Sequence, residues 1–389
     1  MRIKYFEFTD RDSGWQLLRA HFDQLNLLVG ISGVGKSNIV KALQRVRNFG
    51  RDERFEPGAM AWELGFSLDD DTQYCWRGET ERIGLVDGGA QVRSEVLTRT
   101  TRDGDERLFE RTPEESRFQG NPLPKLSRQS SLLALLAEED AIRPVWRDLG
   151  RVLFAEPDST MWPSLSMTRA NRQDLDEFAE DLRQHRLGED PLPEHAISDT
   201  FVGGVQLSPL YWLYFAQTGL PSLFSQLKEA FVDIFPTVED LQTRWRPGAE
   251  SDEHPVLEVV IRERGIEGWI PGSAMSAGML RTLALLIYAK SAPSGSVLVV
   301  DEIEDGLGVN CMPEVTESLR LRTDQQVILT SHHPYIINNL PIRAWKLVRR
   351  HGTQVRIDPA SQFAGLDTSS HHRAFTQLIN LPEFEDGIS

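Results

Sequence analysis

Gly30-Ile-Ser-Gly-Val-Gly-Lys-Ser37 decides how this chain is read. It fits the pattern G-x-x-x-x-G-K-[ST] at every fixed position, and that pattern prescribes chemistry as well as shape. Successive backbone N–H groups of such a loop wrap a triphosphate, the lysine reaches the outer phosphates, and the serine hydroxyl binds Mg²⁺. Just before the loop, Leu25, Leu27, Leu28 and Val29 form a short apolar run that predicts a buried strand. Just after it, Ile39, Val40, Ala42, Leu43 and Val46 recur at helical spacing. Strand, glycine loop and helix stand in the required order, and the helix N-terminus adds its positive end to the anion site. The segment predicts a nucleoside triphosphate site drawn from Gly30, Ser32, Gly33, Gly35, Lys36, Ser37 and Asn38.

Ser296-Val-Leu-Val-Val-Asp-Glu302 is a run of small and β-branched residues ending in two carboxylates. A buried parallel strand reads this way, with its C-terminal end at the ligand crevice. Asp301 is placed to join the Mg²⁺ shell, and Glu302 to polarise the attacking water as general base. Gln326-Val-Ile-Leu-Thr-Ser-His-His-Pro334 is another short apolar strand ending in polar residues. Between the loop and these strands lies Met275-Ser-Ala-Gly-Met-Leu-Arg281, followed by an apolar helical stretch from Thr282 to Ala289.

The order Ser276-x-Gly278-x-x-Arg281, helix, then Asp-Glu strand resembles the signature motif of ABC-type ATPases, most of all in the SMC, RecF and OLD branch. There the motif often reads Leu-Ser-x-Gly-x-x-Arg, and Met275 replaces the leucine here. The resemblance implies ATP with Mg²⁺, a homodimer, and Ser276, Gly278 and Arg281 serving the nucleotide held by the opposite subunit. Ile303-Glu-Asp-Gly-Leu-Gly-Val-Asn310 resembles the D-loop region of the OLD kind. By the same alignment His332 is the switch histidine that contacts the γ-phosphate, with His333 the competing assignment. The branch also uses a glutamine on Mg²⁺, for which Gln129, ahead of Ser130-Ser-Leu-Leu-Ala-Leu-Leu136, is the candidate. The implied catalytic set is Lys36, Glu302 and His332, and the implied metal set is Ser37, Asp301 and Gln129.

Composition sets the remaining bounds. The 389 residues are 40% hydrophobic and 26% charged, ordinary values for a globular chain with ample core. The net charge of -16 argues against a surface basic throughout; the Arg-rich stretch from Arg343 to Arg356 reads first as a solvated face, with a local patch for DNA as the competing reading. Cys75 and Cys311 lie far apart and read as reduced residues of a cytoplasmic protein. No stretch approaches the ~18 consecutive apolar residues of a membrane span. Met1-Arg-Ile-Lys-Tyr-Phe-Glu-Phe alternates like a strand and does not read as a signal peptide.

The expected fold is α/β, a P-loop NTPase of ABC-ATPase type with a mixed sheet core, an antiparallel β subdomain and a helical lobe. Leu64-Gly-Phe-Ser-Leu68 and Gln73-Tyr-Cys-Trp76 alternate as hairpin strands do. Leu132 to Leu136, Asp174 to Arg186 and Tyr211 to Phe235 carry helical spacing, while His185 to Phe201 reads as a surface loop. The expected boundaries are a split core of 1–128 and 255–389 around a helical lobe of 129–254. No Asp-x-Asp follows the Asp301 strand, so no appended TOPRIM nuclease of the OLD kind is expected, and no heptads mark SMC arms. A transporter ATPase fits worst, because the loop and the signature stand too far apart. The resemblance implies an ATP-dependent dimer switch, of the sort found in bacterial anti-phage or abortive-infection systems beside a separate effector protein. A RecF-like DNA-repair ATPase is the alternative, and a non-hydrolysing clamp is disfavoured by Glu302.

Overall fold

The computed structural model describes residues 1–52, 58–68, 72–83, 89–102, 104–155, 167–169, 172–185, 208–247, 255–363, 373–374 and 376–377. The surface loop expected from 185 to 201 falls, beyond His185, outside the described residues. The chain divides into two compact units, residues 1–154, 295–302 and 323–389 in the first, 155–294 and 303–322 in the second. This division differs from the boundaries expected at 128 and 254. The segment 129–154 packs with the first unit and 255–294 with the second. The reason for the latter is pairing: a strand at 256–263 zips onto its chain neighbour at 238–246 instead of returning to the large sheet.

The strands in chain order are β1 (Arg2–Asp10), β2 (Gln16–His21), β3 (Leu25–Val29), β4 (Met60–Ser67), β5 (Gln73–Arg82) and β6 (Ala90–Thr101). They continue with β7 (Gly104–Arg111), β8 (Ser116–Phe118), β9 (Asn121–Pro122), β10 (Val152–Ala155), β11 (Met167–Arg169) and β12 (Val238–Arg246). The last are β13 (Val256–Glu263), β14 (Ile270–Pro271), β15 (Val297–Val300), β16 (Gln326–Thr330), β17 (Trp345–His351) and β18 (Gln354–Pro359).

The first unit is built on a fourteen-stranded sheet in the order β10-β15-β16-β3-β17-β18-β2-β1-β4-β5-β6-β7-β8-β9. β15, β16, β3 and β17 run parallel, and Leu27, Leu28, Val29 and all of Val297–Val300 are buried, as strands covered on both faces require. From β1 outward the strands run antiparallel in hairpin order, and their burial alternates along β5 and β6. The helix Lys36–Arg51 lays Ile39, Val40, Leu43 and Val46 into one core with Phe8, Leu17, Val348, Val355 and Ile357 from the sheet. Each such aliphatic side chain contributes about 1.5–3 kcal/mol by leaving water.

Its far end closes on aromatic packing, Phe49 on Trp62 at 5.3 Å and Trp62 on Trp76 at 5.2 Å, both edge-on. Trp76 in turn donates its indole N–H to Glu95 at 3.0 Å. Glu95 is fully buried, and burial pushes its carboxyl above the usual range even though Ser131 and the Leu132 N–H also donate to it.

The second unit holds the smaller sheet, β11-β13-β12 with β14 also on β13. Helices Pro209–Gly219 and Pro221–Ile234 pack on β12, and Ala277–Ser291 packs on both of them and on Met312–Arg320. Helical spacing read as continuous from Tyr211 to Phe235 is two helices, because Pro221 cannot continue the first and instead opens the second. Ala277–Ser291 is buried nearly all round, which explains its lack of a polar face. No helix among the described residues is long and apolar enough to cross a membrane.

Candidate nucleotide site

The site is assembled at the C-terminal edge of the parallel strands. β3 runs into the glycine loop, and Gly30 touches the neighbouring strand so closely that a Cβ there would stand 2.7 Å from the Val348 carbonyl oxygen. Gly33 and Gly35 have φ of 83° and 109°, the left-handed region that costs an L side chain most. The loop can therefore curl with its backbone N–H groups inward. Gly35 caps the helix Lys36–Arg51 without any side-chain hydrogen bond, and the first turn carries no acidic residue. A helix start left so is an anion site, the partial positive end facing the ligand.

Lys36 is buried and its ammonium donates to the Gly30 and Ile31 carbonyl oxygens at 2.8 and 3.1 Å, so its charge is pinned over the loop. Ser32, Gly33 and Asn38 are exposed on the open face, and Ser37 is half-buried in the first turn. We expect Gly30→Ala to lower stability by about 1–3 kcal/mol through overpacking against Val348, and to weaken nucleotide binding with it. Chemical denaturation and a nucleotide titration of the variant read both effects.

Asp301 and Glu302 follow β15, and β16 separates them from β3. The pairing sets Val300 opposite Leu329, and Thr330 opposite Leu28, so the carboxylates stand level with the start of the loop. Thr330 joins them. Its hydroxyl donates to Asp301 at 2.5 Å and accepts from the Glu302 N–H at 2.7 Å. Glu302 has φ of 43°, which is rare for a side chain of its size and turns the backbone sharply at the strand end. Thr330 is a candidate site residue that the motif reading passed over. Its signal was a lone hydroxyl closing the apolar strand Gln326-Val-Ile-Leu-Thr330.

The two histidines beyond β16 separate by geometry. His333 caps the helix Pro334–Asn339, its Nδ1 accepting from the Tyr335 N–H at 3.1 Å, while its own N–H donates to Ser331. His332 is exposed at the strand end. Asp301 and Ser37 offer hard oxygen donors of the kind Mg²⁺ takes alongside substrate phosphates. Gln129 is exposed, and the bonds that hold its loop run to the antiparallel flank: Arg128 to Val92 and Thr112 carbonyls, Arg111 to Ser127 and Ser130 carbonyls.

Ser276, Gly278 and Arg281 belong to the second unit. Ser276 is the exposed N-cap of the helix Ala277–Ser291, its hydroxyl accepting from the Met279 N–H at 3.2 Å. A Cβ on Gly278 would stand 3.0 Å from the Gly306 carbonyl oxygen, so the signature turn rests directly on the segment after Glu302. Arg281 is 2% exposed and donates to the Ala155 carbonyl at 3.5 Å, an interior position beneath that turn.

The fold and the ordered motifs define the class, a P-loop ATPase of the ABC type. Residues 25–338 match the family described as "AAA domain, putative AbiEii toxin, Type IV TA system", and the chain belongs to that family. No curated protein matches the sequence. Among solved structures it is similar to an Smc head bound to the C-terminal winged-helix domain of ScpA, at 14% identity and TM-score 0.45, covering 92% of this chain and 97% of that one. It is also similar to a Pyrococcus furiosus Smc head with an extended coiled coil bound to the C-terminal domain of ScpA, at 13% identity and TM-score 0.49, covering 92% and 95%. For the SMC head domain of Thermotoga maritima the values are 14% identity and TM-score 0.37, covering 92% and 99%.

Proposed function

We propose that the chain is an ATP-hydrolysing dimer switch, in which the signature turn of one protomer completes the nucleotide site of another. The observation that carries the reading is the Thr330 hydroxyl linking Asp301 to the Glu302 backbone, one strand away from the glycine loop. It holds a metal-binding carboxylate and a candidate base at the strand ends where β- and γ-phosphates belong. Ser37 and Asp301 would hold Mg²⁺, which neutralises charge on the outer phosphates when bound. Lys36 shares that task, His332 is offered to the γ-phosphate, and Glu302 takes the proton of the attacking water. Ser276 and the first-turn N–H groups of its helix suit a γ-phosphate presented from outside, since the cap is exposed. Val309, 77% exposed on the segment that meets Gly278, suits the same face of a partner.

The family description carries the words "putative AbiEii toxin, Type IV TA system", which supports a role in bacterial conflict such as anti-phage defence. A cytoplasmic location and a separate effector protein are further parts of the proposal, separate from that description. A RecF-like role on DNA is the second reading, and the β17–β18 hairpin bears on it. Arg349 and Arg356 both pair with Asp358, so part of its basic charge is already neutralised.

Because half of each site lies on the partner, the ATP turnover per molecule is expected to fall on dilution as dimers dissociate. A verified monomer that hydrolyses ATP at an unchanged specific rate would sink the dimer reading. Adding gapped or duplex DNA to the same assay separates the two roles. A several-fold, salt-sensitive stimulation selects the DNA-bound one.

A further inference from the structure

A hollow of about 750 Å³ lies on the antiparallel flank, lined from β1 and β4 to β8 and by no residue of the nucleotide site. Strand register explains its floor. Tyr5 stands opposite Gly65, Gly65 opposite Cys75, Cys75 opposite Thr98 and Thr98 opposite Arg107, one row across five strands. Cross-strand neighbours on one face touch, so the side chains of a row set its height. The three middle residues are small and the outer two are long, which leaves a depression between Tyr5 and Arg107.

Both ends are closed. A Cβ on Gly65 would stand 2.1 Å from Tyr5 Cε1, so the Tyr5 ring lies across that glycine and walls one end. The β8–β9 turn walls the other, with Gln119 at φ of 47° and Gly120 at φ of 79°. Two-residue turns of this kind favour Asn or Asp before the glycine, and a longer side chain at positive φ is uncommon. Here the turn keeps the carboxamide of Gln119 on the hollow instead.

The charge is locally positive on a chain whose net charge is -16. Lys4, Arg77, Arg107 and Arg117 line the hollow against two carboxylates, Asp105 and Glu110. Both carboxylates are engaged, Asp105 by the Thr100 hydroxyl at 2.8 Å and Glu110 by Arg107 at 2.6 Å. Arg77 is the telling residue. Glu63 stands directly opposite it, yet Glu63 is taken by Arg19 at 2.6 Å and by the Tyr5 hydroxyl at 3.0 Å. Glu79, two residues on along β5, is taken by Arg11 at 3.0 Å. Among the described residues neither Arg77 nor the half-buried Lys4 has an ion-pair partner. A guanidinium left over among engaged carboxylates suits an external anion, and its planar fork matches phosphate oxygens two at a time.

We propose that this hollow binds a small phosphate ester of nucleotide size, its phosphate on Arg77 and its uncharged part over the row from Gly65 to Thr98. Lys4 and Gln119 serve it from the rim. The volume falls in the range that encloses ligands of this size, and the closed ends exclude a continuous strand. The site is separate from the phosphate loop and does not rest on the ATP reading.

The probes are AMP, GMP, ribose 5-phosphate and a short single-stranded oligodeoxynucleotide, titrated by calorimetry into the full chain carrying Lys36→Ala. That background keeps the phosphate loop from answering for the hollow. At least one small probe is expected to bind with Kd below about 100 μM. Adding Arg77→Ala is expected to weaken that binding about tenfold or more, the worth of one hydrogen bond to a charged group. The melting temperature is expected to hold, because Arg77 is exposed. Binding of none of the small probes overturns the proposal, as does binding that Arg77→Ala leaves unchanged. Tight binding of the oligonucleotide without response from the small probes overturns it too, since the hollow would then serve a strand.

Discussion

Replacing Glu302 with glutamine is expected to slow ATP turnover by ~10²–10⁴-fold while leaving ATP affinity within a few-fold of the native value. The substitution keeps size and backbone and removes only the capacity to take a proton. The backbone is the informative part. Glu302 sits at φ of 43°, a left-handed conformation that costs an L residue on the order of 1–3 kcal/mol. The Thr330 hydroxyl holds that conformation by accepting the Glu302 N–H while donating to Asp301.

Strain kept at a carboxylate, one strand from a phosphate loop, motivates the proposed role of Glu302. A second substitution then separates stability from function. Glu302→Gly removes the strain and is expected to stabilise the fold by about 1 kcal/mol in chemical denaturation, with turnover falling as far as in the glutamine variant. Should Glu302→Gln retain more than about a tenth of native turnover, the base is another group and the assignment is lost.

What the sequence disclosed and what it hid follow from the range of the interactions involved. The glycine loop was legible because its geometry is local: Gly30, Gly35 and Lys36 sit within eight residues, and a strand and a helix must flank them. The antiparallel flank was legible for a similar reason, since hairpins β4 to β7 pair chain neighbours and alternate in burial. Three features were not legible. Adjacent histidines look alike in sequence, and only the helix that begins at Pro334 reveals that His333 is engaged as its cap. Arg281 reads as a ligand-facing charge in the signature, yet its helix turns it into the interior, 2% exposed. The row from Tyr5 through Gly65, Cys75 and Thr98 to Arg107 draws one residue from each of five strands, a register that no local pattern encodes. The division of residues 255–294 from the first unit has the same origin, because β13 chose β12 for a partner.

Mixing two inactive variants is expected to restore turnover if the signature acts across a dimer. Lys36→Ala disables the phosphate loop, and Ser276→Arg fills the exposed helix cap with a bulky cation where a facing phosphate must approach. Each alone, as a symmetric dimer, spoils both sites. In the mixed dimer one site unites the two defects, and the other pairs the intact loop of the second variant with the intact signature of the first. Random pairing makes half the dimers mixed, each with one good site of two, so about a quarter of native activity is expected at equal mixing.

If Ser276 served its own chain, no mixture would gain anything, because every chain would still carry a defect at its own site. Loss of the N-cap bond to Met279 in Ser276→Arg costs about 1 kcal/mol of helix stability, too little to unfold a helix buried nearly all round. Restoration on mixing would itself prove both variants folded. Silence from the mixture, with each variant shown by sedimentation to form dimers with the other, would return the signature to its own chain. The exposed cap and Val309 beside it would then need a different partner.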